Sequence, residues 1–166
     1  MKNVTKNITT MSQKKQKEER KVIAVNRKAR HDFAVLETYE AGIALTGTEV
    51  KSCRAGGVTL SDSYAAILNG VLTLIGTHIA LYEQGNIENH EPKRHRTLLM
   101  HKREILRLKK SIEAKGLTLV PISMYFNAKS KVKVELALCR GKNTVDKRED
   151  MKKKRDELDI KRSMKR

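Results

Sequence analysis

The chain contains no Trp, two Phe and four Tyr, so its interior must be assembled from Val, Ile, Leu and Ala. The same scarcity argues against a generic single-strand binder, which needs several exposed rings as stacking platforms. Cysteine is scarce too. Cys53 and Cys139 stand alone, without metal-ligand spacing, and are expected as buried or reduced thiols of a cytoplasmic protein. No apolar run approaches the ~18 residues of a membrane span, so no membrane partner is expected. Met1 to Lys21 is Lys-rich but lacks the apolar stretch of a secretory signal.

Sites for chemistry are also missing. His31, His78, His90, His95 and His101 fall in no metal-binding spacing such as His-Glu-x-x-His, and His90 and His95 have no Cys nearby. Arg54-Ala-Gly-Gly57 lacks the Gly-Lys-Ser/Thr ending that sets a Lys on phosphates. Glu37, Glu40, Glu49 and Asp62 are available carboxylates, but nothing in their spacing pairs them for acid–base work. The expectation is a protein that is not an enzyme and carries no metal or cofactor.

What the chain has is positive charge. It carries 36 Lys and Arg against 19 Asp and Glu, a net charge of +17, and such a field steers association with phosphate backbones. The excess gathers at both ends. Residues 1–30 hold ten Lys and Arg, with Glu18 and Glu19 as the acids; residues 141–166 hold eleven against six.

Three regions follow: a basic, disordered extension over 1–25, a β-rich body over 26–140, and a basic tail over 141–166. In the body, Phe33 to Tyr39 reads as a strand, with Ala41-Gly42 turning it into a second, Ile43 to Thr46. Thr46-Gly-Thr-Glu49 fits a capping box opening a short helix that stops at Gly56-Gly57. Ser63–Leu68 and Val71–Ile75 flank Asn69-Gly70, the pair that accepts positive φ at both centres of a type I′ turn. Glu83 to Arg96 reads as a polar surface loop. A helix over His101–Lys115 carries Ile105, Leu108 and Ile112 on one face and ends at Gly116. Strands over Leu117–Phe126 and Val132–Leu138 close the body, the second alternating Val132, Val134, Leu136 and Leu138 inward. Roughly six strands and two helices without βαβ alternation predict a mainly β fold: a small antiparallel barrel of the oligonucleotide-binding type with two or three flanking helices.

Two residues stand out for recognition. Glu40, on a nucleic-acid face, can accept hydrogen bonds from base amino groups, which Lys and Arg cannot do. His101 can stack on or hydrogen-bond to an unpaired base. The tail has Asp146 as a candidate N-cap, Glu149 and Asp150 at the positive helix end, and Lys161, Arg162, Lys165 and Arg166 at the other. Its apolar residues are few, so the helix is expected to need a partner.

An ordered series of motifs runs through the chain: Asn26-Arg-Lys-Ala-Arg-His31, Glu40-Ala-Gly42, Leu45-Thr-Gly-Thr-Glu-Val-Lys-Ser52, Asp62-Ser-Tyr64, Tyr82-Glu-Gln-Gly-Asn-Ile87, Leu98-Leu-Met-His-Lys-Arg-Glu-Ile105, Lys115-Gly-Leu-Thr-Leu-Val-Pro121, Lys131-Val-Lys-Val-Glu-Leu136 and Asp146-Lys-Arg-Glu-Asp150. From Asn26 to the C-terminus this series resembles the SsrA-binding protein (small protein B) family. The resemblance implies a bacterial trans-translation factor. Its partners would be the tRNA-like domain of transfer-messenger RNA (tmRNA), the decoding region and mRNA channel of the ribosome, and elongation factor Tu through the alanyl-tmRNA complex; the protein would act as a monomer. By motif match, Asn26, Arg27, Lys28, Arg30, His31, Glu40, Leu99 and His101 would face RNA, and Gly141, Lys142, Asp146, Lys147 and Arg148 would contact the ribosome. The family pattern ends in Tyr or His before Asp-Lys-Arg, where this chain has Val145, so a stacking contact is missing there. A ribosomal or assembly protein of barrel type and an RNA-processing enzyme are the competing readings.

Overall fold

The computed structural model describes residues 20–142 and, beyond them, positions 148, 151, 152, 155, 156, 160, 163 and 164. Nine strands and three α-helices form within residues 20–142. β1 (Lys21–Val25) leads into α1 (Arg27–Asp32), then β2 (Phe33–Ile43) and α2 (Gly47–Arg54). β3 (Val58–Thr59), β4 (Tyr64–Leu68), β5 (Val71–Ile75), β6 (His78–Ile79) and β7 (Arg96–Leu99) follow, then α3 (Lys102–Lys115), β8 (Thr118–Phe126) and β9 (Val132–Gly141). The main sheet is antiparallel, in the order β1-β8-β4-β5-β7-β2-β9, and a further β8–β9 pairing closes the strands from β8 to β9 into a ring, with β1 attached to β8 outside it. The architecture is mainly β and consistent with an oligonucleotide-binding-like fold, as expected. β3 and β6 pair separately.

Local chemistry explains several elements. Asn69 and Gly70 take φ of 50° and 78°, and the strands on either side pair from Leu68↔Val71 to Tyr64↔Ile75. Gly116 ends α3 in the left-handed region. The Glu49 carboxylate accepts the Thr46 backbone N–H at 2.8 Å, the reciprocal half of a capping box. In β8, a register shift between Pro121 and Ser123 inverts the side-chain alternation. Leu119, Met124 and Phe126 thereby reach the main core, while Val120 and Ile122 join Ala29 in a second cluster beneath α1.

Four expectations need correction. No turn forms at Ala41-Gly42: β2 continues to Ile43 because β9 pairs with it from Phe33↔Gly141 to Gly42↔Lys133. The basic extension is shorter than 1–25, since Lys21–Val25 pairs with β8; residues 1–19 lie outside those described. β9 is not simply half-buried, because Ala137 and Cys139 on its second face lie in the cluster under α1. Finally, the stretch Glu83 to Arg96 is not wholly a surface loop, as Arg96 is fully buried.

Candidate nucleic-acid interface

β2 separates the candidate RNA-facing residues into two groups, one at each of its ends. Phe33 and Gly42 are nine residues apart on this strand, roughly 30 Å in extended chain. α1 and the start of the tail lie at the Phe33 end; Glu40, Leu99 and the start of α3 lie at the Gly42 end.

At the first end, Asn26 is the N-cap of α1. Its side-chain oxygen accepts from the Ala29 N–H at 3.0 Å, its amide donates to the Leu60 carbonyl at 2.9 Å, and its own N–H donates to the Ile122 carbonyl at 2.7 Å. It is buried. The side chain faces inward and fixes where α1 begins. Arg27, Lys28 and Arg30 are exposed, and His31 is half-buried with Nδ1 3.0 Å from Asp32. Lys28 reaches Asp62 at 2.7 Å, both side chains facing solvent. Gly141 closes β9 against Phe33, and Lys142 is tied back to α1 through its N–H to the Asp32 carbonyl (3.0 Å) and its Nζ to the Arg30 carbonyl (3.2 Å). Between these parts runs a groove of about 580 Å³ lined by Lys28, Phe33, Tyr64 and Lys142 among others. Of the six Phe and Tyr, Tyr64 alone is exposed.

At the second end, Glu40 lies on the outer face, with its side chain 45% exposed. It accepts hydrogen bonds from Arg20 Nη2 at 3.2 Å and from the Tyr125 hydroxyl, and pairs with Lys133 Nζ at 3.5 Å. The Arg20 guanidinium also stacks over the Tyr125 ring, 4.5 Å from its centroid. Burial, followed by the hydrogen bond to Glu40, holds the Tyr125 hydroxyl well above its ordinary pKa, so it remains a donor at neutral pH. Arg20, Tyr125 and Lys133 are the residues that sequence reasoning missed. The outward phase of Lys133 in β9 was a usable signal; nothing in the sequence joined Arg20 to Glu40.

Leu99 lies opposite Gly42 in the β2–β7 pairing and is 57% exposed, which removes it from the core. With Ile43, Leu45 and Val132 it lines a groove of about 460 Å³, flanked by Lys131 and Lys133. His101, exposed, is the N-cap of α3, and its N–H donates to Glu104 at 3.3 Å. Glu40, Lys133, Leu99 and His101 are thus gathered around adjoining strand positions. In the tail, Arg148 is helical and exposed, whereas Asp146, Lys147 and Val145 lie outside the described residues.

No group of three His, Cys, Asp or Glu among the described residues could hold a metal, and no described helix is long and apolar enough to cross a membrane. Cys53 and Cys139 are buried free thiols; burial pushes Cys53 up to about 11, which keeps it protonated and unreactive.

Comparison with known proteins points to one family. Residues 23–166 match the family model described as SmpB protein. The SsrA-binding protein of Desulforamulus reducens is 56% identical over 144 residues, covering 87% of this chain and 89% of that protein. That of Symbiobacterium thermophilum is 60% identical over 129 residues, 78% of this chain and 82% of its own. A solved structure described as "tmRNA-SmpB: a journey to the center of the bacterial ribosome" contains a chain 54% identical to this one. It superposes with a TM-score of 0.62 over 73% of this chain and 85% of that one. With the family model matched over residues 23–166 and relatives more than half identical over most of its length, the chain belongs to the SmpB family.

Proposed function

We propose that this chain binds the tRNA-like domain of tmRNA through its body and brings it to stalled ribosomes for trans-translation. It is an RNA-binding factor and not an enzyme, it acts on the bacterial ribosome, and its place of work is the cytoplasm. The observation that carries this reading is the outer face around Glu40. A half-exposed carboxylate set among Arg20, Lys133 and Leu99 combines a base-amino acceptor with phosphate-seeking cations and an apolar surface for a base. Arg27, Lys28 and Arg30 would add phosphate contacts at the other end of β2, and the tail would enter the vacant mRNA channel. Elongation factor Tu would join through the alanylated RNA.

The test is binding to a tRNA-like domain and to an ordinary tRNA across a salt series, for the full chain and for a truncation. The cut belongs after Lys142, because a cut after Arg140 would remove the Gly141 pairing and the Lys142 anchor on α1. Selective binding that survives truncation is the expected result. Equal, steeply salt-dependent binding to both RNAs, lost on truncation, would reduce the protein to a nonspecific polyanion binder.

A further inference from the structure

The segment between β6 and β7 is acidic on a strongly basic protein. Residues 81–91 carry Glu83, Glu88 and Glu91 and no Lys or Arg, in a chain of net charge +17. All three carboxylates are exposed, so this segment repels phosphate, although Lys51 Nζ lies 5.1 Å from the Tyr82 ring at its base.

The segment is nonetheless firmly built. The Asn89 side chain brackets Tyr82, accepting its N–H at 3.0 Å and donating to its carbonyl at 2.8 Å. Gly85 packs so closely on Asn89 that an added Cβ would lie 2.6 Å from its side-chain oxygen. Next along the chain, His90 is buried between Thr48 Oγ1 (3.0 Å) and the Ile79 carbonyl (3.2 Å). Arg94 and Arg96 then clamp the return to β7 onto Glu49. On this fixed frame two apolar side chains project: Leu81, 53% exposed, and Ile87, 100% exposed. A fully solvated Ile on an ordered loop gains nothing for the free protein, and on binding it can supply an anchor without an ordering cost.

We infer that the 81–91 loop is a protein-docking element, whose partner is a basic protein surface on the ribosome with an apolar notch for Ile87. Charge complementarity selects the partner class, because three exposed carboxylates on one short loop, with no cation among its own residues to hold a phosphate, favour a Lys- and Arg-rich protein surface over a phosphate backbone. This inference rests on the ribosome-rescue reading and divides the work: cationic faces hold RNA, and the acidic loop holds protein.

The experiment places a photoreactive p-benzoylphenylalanine at position 87 of the full chain, in complex with tmRNA on ribosomes stalled on a message without a stop codon. The expected adduct is to protein, diminished by added salt and by Glu83→Lys with Glu88→Lys. Ile87→Ser should leave the fold and the binding to a tRNA-like domain unchanged, since the side chain touches only solvent, while weakening ribosome engagement about tenfold. An adduct to ribosomal RNA or tmRNA, or an Ile87→Ser protein that engages ribosomes as well as wild type, would overturn the inference. A wild-type chain that fails to bind the tRNA-like domain would instead break the underlying reading.

Discussion

Two carboxylates of this protein are each gripped by two cations, with opposite consequences. Glu40 has Arg20 and Lys133 at 3.2 and 3.5 Å on an outer face. Glu49 has Arg94 and Arg96 at 2.6 and 2.8 Å in the interior, where it and Arg96 are both 0% exposed. Exposed pairs contribute ~0–1 kcal/mol, and water or a phosphate replaces either partner at little cost. Buried pairs are different: losing one partner strands a charge that nothing solvates. Glu49 also accepts the Thr46 N–H, and Arg96 donates to the carbonyls of Thr77, Pro92 and Arg94. The same residue types therefore make an exchangeable surface cluster in one place and a fixed joint between α2, β7 and the preceding loop in the other.

The largest expected effect tests the buried joint. Glu49→Gln leaves the Arg96 charge without its counterion and should cost ~3–5 kcal/mol, read as a fall in Tm by circular dichroism. A loss below ~1 kcal/mol would place Glu49 in the same class as Glu40. The pH dependence sharpens the point. Burial pushes the Glu49 carboxyl up, but hydrogen bonds from Arg94, the Thr46 amide and Arg96 outweigh it and hold the group below its usual range. Its contribution is therefore complete above the ordinary carboxylate range and disappears as pH falls through the depressed folded value. The stability gap between wild type and Glu49→Gln should narrow on acidification; a gap that widens would contradict this electrostatic account.

Smaller effects are expected at the surface. Glu40→Gln should shift stability by less than ~1 kcal/mol yet lower selectivity for the tRNA-like domain over tRNA by about tenfold, the scale of one base contact. Unchanged selectivity would remove Glu40 from base recognition. Smallest of all, Arg27→Ala should weaken both RNAs alike and reduce the salt slope by about one. A change in selectivity there would mean that Arg27 touches a base rather than a phosphate.

Legibility from sequence followed the range of the forces involved. The Asn69-Gly70 hairpin, the stop of α3 at Gly116 and the opening of α2 at Thr46 were readable because backbone conformation and capping are settled within a few residues. The course of β2 was not. Ala41-Gly42 suggests a turn locally, but β9 across from it supplies an unbroken ladder. Lys93-Arg94-His95-Arg96 looks like solvated charge, and only the approach of Glu49, 47 residues earlier, makes Arg96 a buried residue. At the candidate interface, Glu40, Leu99 and His101 were named from the motif series, and Lys133 and Tyr125 were not, because cross-strand neighbours follow register rather than sequence distance. Asn26 shows the reverse: a motif residue whose side chain the fold turns inward as a cap.

The sequence by itself determined the cationic character, the lack of catalytic and metal-binding spacings, the local turns and caps, and the family, since each is carried by composition or by short ordered motifs. Tertiary structure alone decided which charges are buried, which carboxylate stays available to a ligand, and that an acidic, apolar-tipped loop stands firm on a basic protein. Those outcomes depend on desolvation and on contacts between distant segments, and both come into being when the strands close into a ring.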